Sequence, residues 1–173
     1  MRKRILVMFA AVIAAFSLAG ASAAAAAPRT TDFTAQAIAS GLTRAEAADL
    51  QDRVDEVLTE LPGGKQVSAT QIRYDGLDVT VAPEGEFSTN AITCSVGYFC
   101  IDVRGTRFAF YECKKWELSN WWGDSPWNNN QTGSAVARAY AQDGSTWVWS
   151  DVANSGADSG TVDTGPWWYF RPC

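Results

Sequence analysis

The sequence predicts a mainly β protein in which a small helix and a β-hairpin precede an all-β sandwich or barrel. Three observations carry this. Between residues 94 and 173, short apolar runs such as Phe108-Ala109-Phe110-Tyr111, Ala135 to Tyr140 and Thr146 to Trp149 alternate with clusters of Gly, Asn, Asp and Ser. That is the rhythm of short strands and tight turns. The same stretch holds 16 aromatic residues, including all eight tryptophans, and aromatics suit a pleated, half-buried surface. Helical periodicity occurs upstream, in a segment opened by its own capping signal.

Taken in order, Met1 is followed by Arg2, Lys3 and Arg4, an apolar run from Ile5 to about Leu18, and the alanines Ala23 to Ala27. This is the layout of a cleaved secretory signal over residues 1–27, and the apolar run is too short to favour a retained span. The expected location is therefore extracellular, with no membrane contact after cleavage. Residues 28–41 are small and polar and read as a flexible leader. In the 42–90 segment, Thr43-Arg44-Ala45-Glu46 forms a capping box. Ala47, Leu50, Val54, Val57, Leu58 and Leu61 then recur at spacings of three and four, making one apolar stripe. Pro62-Gly63-Gly64 ends the helix. Ile72 and Tyr74 alternate with polar neighbours, as do Leu77, Val79 and Val81. The intervening Asp75-Gly76 favours a two-residue turn that pairs Tyr74 with Leu77 and Ile72 with Val79. This helix–hairpin unit reads either as a propeptide or as a cover for the domain at 91–173, with the acidic stretch 82–86 as linker.

Four cysteines, Cys94, Cys100, Cys113 and Cys173, in an exported chain indicate two disulfides. Of the three possible connectivities, Cys94 with Cys100 is preferred because C-S-V-G-Y-F-C suits a small ring. That leaves Cys113 with Cys173. Zinc is disfavoured by the wide spacing and by the absence of histidine.

Charge and composition narrow the function. Without Arg2, Lys3 and Arg4, 11 of the 14 basic residues remain against 19 acidic ones, a net charge of −8. Such a balance repels nucleic acid and anionic membranes. The lack of histidine removes Ser-His-Asp and Cys-His nucleophiles, and no phosphate-cradling glycine loop occurs. The acids Asp102, Glu112, Glu117, Asp124, Asp143, Asp151, Asp158 and Asp163 show no spacing that selects a catalytic pair. The expectation is a binding protein rather than an enzyme, with no required cofactor.

Two partner classes fit, beside the alternative of a structural exoprotein with no small ligand. Flat indole faces stack on sugar rings at small entropic cost, so a glycan or cell-wall partner would use the tryptophans. Adjacent residues of a strand point to opposite faces, which assigns one ring of Trp121-Trp122 to the core and the other to solvent. Trp147 and Trp149 should share a face and pack. The second class, a peptidase, comes from a resemblance. The C-S-V-G-Y-F-C ring, the glycine a few residues on, the C-x-x-x-x-L segment, N-N-Q-T-G and the closing R-P-C resemble secreted actinobacterial metallopeptidase inhibitors with a βγ-crystallin-like fold, over about residues 92–173.

That resemblance implies a Greek-key sandwich and inhibition by a rigid loop. The Cys94–Cys100 ring with Val96, or the segment 120–128 with Trp121, Trp122 and Trp127, would present it. Greek keys of this type carry a covering aromatic followed by a conformationally special glycine. Tyr98 with Gly105 and Trp149 with Gly156 match this spacing 51 residues apart. Crystallin-like folds often bind calcium, and Asn128, Asn129 and Thr132 in N-N-N-Q-T-G are the calcium candidates. The stretch supplies no carboxylate, so a structural amide-rich turn is the favoured reading.

Overall fold

The computed structural model describes residues 33–84, 92–153 and 158–173. The proposed signal, residues 28–32 of the leader, residues 85–86 of the linker and Gly156 lie outside them. All described residues belong to one compact unit, Asp32–Cys173. The architecture is mainly β: among the described residues, helices α1 (Thr34–Ala39) and α2 (Arg44–Glu60) are followed by eleven strands. These are β1 (Lys65–Gln66), β2 (Gln71–Tyr74), β3 (Leu77–Val81), β4 (Tyr98–Val103), β5 (Thr106–Phe110) and β6 (Trp116–Glu117), then β7 (Asp124–Asn130), β8 (Val136–Tyr140), β9 (Trp147–Val152), β10 (Asp158–Asp163) and β11 (Tyr169–Arg171). They form two antiparallel sheets, a larger one in the order β1-β2-β3-β5-β4-β7-β10 and a smaller one in the order β6-β11-β8-β9.

The leader is not wholly flexible. Phe33 and Ala37, four apart, place an apolar edge on α2, so residues 34–39 become helical and Ala37 is buried. Gln36 adds a tether, its Oε1 accepting from Ala69 N at 2.8 Å. In α2 the capping box forms in both directions, Thr43 Oγ1 accepting from Glu46 N and Glu46 Oε2 from Thr43 N. The stripe Ala47, Leu50, Val54 and Val57 is buried. The hairpin pairs Tyr74 with Leu77 and Ile72 with Val79. Its turn differs from the mirror type, since only Gly76 takes a positive φ, +91°. Tyr111 N and Glu112 N both donate to Gly76 O and hold this geometry.

The helix–hairpin segment and the aromatic-rich segment share one sheet. β3 pairs with β5 from Leu77↔Phe110 to Val81↔Thr106, so the boundary drawn at 90/91 on composition does not divide the strands. Register runs Ile72, Val79, Phe108, Ile101 and Trp127 in one row across five strands. This row and the parallel row Tyr74, Leu77, Phe110 and Phe99 form the inner face, and all nine residues are buried. α2 covers the hairpin end of that face. The smaller sheet covers the other end with Trp116, Phe170, Ala137 and Ala139, and Phe170 lies 4.7 Å from Phe99 and 4.9 Å from Phe110 between ring centroids. Each large aromatic so buried contributes on the order of 2–3 kcal/mol from area alone.

Gly105 belongs to the two-residue turn joining β4 to β5. Arg104 and Gly105 both have positive φ, +49° and +75°, the signature of a type I′ hairpin turn. A Cβ on Gly105 would lie 2.8 Å from Arg53 Nη2. Arg53, on α2, donates to Ala82 O, Arg104 O and Gly105 O and so pins the helix over this turn. Both disulfides have the preferred connectivity, Cys94–Cys100 and Cys113–Cys173, with Cα separations of 5.7 and 5.3 Å.

Candidate functional site

The Cys94–Cys100 ring is built by restraints that converge on one exposed residue. Cys100 sits in β4 between inward-facing Phe99 and Ile101, so it faces the outer side of the larger sheet and anchors the ring there. Ser95 to Tyr98 is a β-turn closed by Tyr98 N donating to Ser95 O at 3.1 Å. Gly97 has φ +91° and Val96 does not share it, as a type II turn requires. Gly97 N donates to Asn130 O at 2.7 Å. Val96, at the second turn position, is 73% exposed.

The amides of β7 complete the clamp. Asn128 Nδ2 donates to Ile92 O at 3.0 Å and Asn130 Nδ2 to Cys94 O at 2.8 Å. The chain entering the ring is thereby stitched to the neighbouring strand. Beside the ring, Tyr98 and Tyr111 pair at 5.3 Å, and Tyr111 Oη donates to Tyr74 O.

This use of the asparagines corrects the amide-turn reading. Asn128, Asn129 and Asn130 are strand residues between β4 and β10, and only Gln131 to Ser134 turn the chain. The strand wins because Ser125, Trp127 and Asn129 alternate inward with period two. Asn129 is fully buried; its Nδ2 donates to Asp151 Oδ2 at 2.6 Å and its Oδ1 accepts from Gln131 N at 3.3 Å. Thr132 is exposed in the turn, so the three calcium candidates do not converge. Among the described residues no group of three or more His, Cys, Asp or Glu is placed to hold a metal ion.

The segment 120–128 likewise divides. Trp121 is buried against Phe108 at 4.8 Å and Trp122 is 58% exposed. The inward–outward split expected for this pair is present, although it arises in irregular chain ahead of β7 rather than in a strand. The Arg104 guanidinium lies over both rings, at 5.5 and 5.2 Å, and donates to Asn120 O. Trp127 points away from solvent: its indole is buried in the core, stacked on Phe99 and edge-on to Trp149. Gly160 directly opposite makes room for it, since a Cβ there would lie 3.2 Å from the ring. Trp147 and Trp149 do not share a face either. A register irregularity pairs Ala139 with Trp149 and Tyr140 with Trp147, leaving Val148 unmatched. This β-bulge turns Trp149 inward against Trp167, while Trp147 stays 61% exposed.

The carboxylates fall into different environments. Asp102 is buried and held bidentately by Arg107, at 2.7 Å to each oxygen. Asp143 accepts from Ser145 N, Thr146 N and Thr146 Oγ1, which keeps its carboxyl well below the ordinary range. Asp151, on β9, meets Asp158, on β10, over Asn129. Burial first, and then the charge of Asp158, push the Asp151 carboxyl up. The spacing of these two residues in the chain gave no sign of the encounter, because it depends on the stacking of the two sheets.

No protein-family model, curated protein or solved structure matches this chain.

Proposed function

We propose that the chain is an exported binding protein of the peptidase-inhibitor type, acting on an extracellular metallopeptidase through the Cys94–Cys100 ring. The observation that carries this reading is Val96: an aliphatic side chain held out to solvent at the tip of a disulfide ring whose backbone is already fixed. Association costs conformational entropy, and a loop immobilised in advance has less to lose. The turn bond, the Asn130 carbonyl and two strand amides supply that immobilisation. An enzyme cleft would receive Val96 without ordering the loop, and a bond hydrolysed inside the ring would leave its ends tethered by the disulfide.

The metallopeptidase as target, and a βγ-crystallin-like Greek-key arrangement of the domain, rest on the resemblance of the cysteine and turn spacings. Export rests on the N-terminal pattern, and two disulfides are in keeping with an oxidising compartment. No helix among the described residues is long and apolar enough to cross a membrane. Titration against a thermolysin-like zinc peptidase tests the reading. We expect stoichiometric inhibition that Val96→Asp weakens at least tenfold with no change in melting temperature. Full peptidase activity at large molar excess would sink the proposal.

A further inference from the structure

The outer face of the smaller sheet gathers cations and rings that are scattered in the sequence. Ala137, Ala139 and Phe170 point into the core. Their neighbours Arg138, Tyr140, Tyr169 and Arg171 therefore point the other way. Register sets Arg171 opposite Arg138 and Tyr169 opposite Tyr140, and the bulge in β9 adds Trp147 beside Tyr140. Lys115 reaches across, its Nζ 4.9 Å from the Tyr140 ring and 4.7 Å from the Tyr169 ring. The Arg138 guanidinium lies 4.6 Å from the Trp147 ring.

Among the described residues these charges have no carboxylate partner. The ion pairs among the described residues are Arg73–Asp78, Arg107–Asp102 and Lys114–Asp75. Lys115 instead donates to Gly144 O, Arg138 to Val136 O and Arg171 to Cys113 Sγ. Two arginines directly opposite on neighbouring strands repel each other. A chain with net charge −5 nevertheless keeps them together, unneutralised, beside an exposed indole. Glu117 pairs with Tyr169 on the edge strand β6, and Asp143 is engaged within the β8–β9 loop.

We propose that this face binds an acidic polysaccharide, a glycan whose rings carry carboxylates. Arg138 and Arg171 offer planar donor forks that match carboxylates, and Trp147 offers a surface for the apolar side of a sugar ring. Nucleic acid fits less well. Base stacking calls for several open rings, whereas Tyr140 and Tyr169 are half-buried beneath Lys115. This surface belongs to the opposite layer from the Val96 ring and stands independently of the inhibitor reading.

The test is affinity electrophoresis of the intact protein through gels containing polygalacturonate, with hydroxyethyl cellulose and a single-stranded oligonucleotide as comparison probes. Retardation by polygalacturonate that fades with added salt is expected. Arg138→Gln with Arg171→Gln together, and Trp147→Ala alone, should each weaken it at least tenfold, whereas Lys114→Ala should leave it unchanged. Because the Arg138 side chain is partly buried, the exposed Arg171→Gln is also run alone, and a loss of at least threefold at unchanged melting temperature is expected. Equal retardation by the neutral polymer, tighter binding of the oligonucleotide, or no retardation at all would overturn the proposal.

Discussion

The helix–hairpin region, residues 34–81, and the aromatic-rich region, residues 98–171, share the larger sheet but are specified differently. In the first, each element is closed by neighbours in sequence: a capping box three residues wide and a hairpin whose partners are at most nine apart. In the second, the decisive pairings are remote. β7 pairs with β4 and β10, and β11 reaches back to β6 and β8. Local order in the first region supplies an edge, and the second region completes it. Stability is therefore a joint property of two segments that composition separates.

The strongest way to break this comparison is to remove the first region. A chain lacking residues 33–84 leaves the β5 edge unpaired and strips α2 from the core, and we expect loss of the cooperative urea transition and of near-ultraviolet circular dichroism. Retention of a sharp transition would show that the second region is self-sufficient. Next in size, Cys113→Ser with Cys173→Ser opens a loop of 60 residues and should cost about 4 kcal/mol in urea unfolding. The equivalent change at Cys94 and Cys100, only six apart, should cost about 2 kcal/mol. Equal losses would contradict the dependence on remote closure.

A smaller effect sharpens the local side. Tyr74 Oη donates to Leu61 O at 2.7 Å, and burial raises its phenol to about 12. Because the folded value lies above the ordinary value of about 10, its contribution is complete below pH 10 and is lost as pH rises towards 12. Tyr74→Phe should lower stability by about 1 kcal/mol at pH 7, with a shallower alkaline decline in melting temperature. The smallest effect lies between the sheets. The Asp151 carboxyl is raised, so its contribution is full below the ordinary value of about 3.9 and fades as pH climbs through the raised one. Asp158→Asn removes the charge repulsion, and we expect melting to rise by about 2 °C at pH 7 and to stay unchanged at pH 3. An equal rise at both values would assign the effect to packing.

The same division explains what could be read in advance. The α2 stripe, its cap, the Tyr74↔Leu77 register and both disulfide pairings were legible, because each depends on local periodicity or on ring size. Trp127 was not, since its burial depends on Gly160 thirty-three positions later. Nor were Trp147 and Trp149, whose shared face disappears at a bulge. Asn128 to Asn130 read as a turn by residue type, yet alternation from Ser125 onward places them in a strand. At the candidate site, Val96 and its cysteines are visible in sequence, but the amides that clamp them read as turn formers. The cationic face on the smaller sheet was hidden by the net negative charge, which is a sum over the chain and carries no positions.

The pairing of β3 with β5 also bears on the order of assembly. A chain synthesised from its N-terminus produces α2 and the β2–β3 hairpin before any aromatic strand exists. The bare edge of β3 then waits for β5, which arrives within a hairpin whose other strand, β4, becomes the next free edge. β7 occupies that edge, and β10 follows on the far side. Pairing in the order of synthesis would extend the larger sheet in one direction from β3, and the Cys113–Cys173 bond can close only once Cys173 has been made.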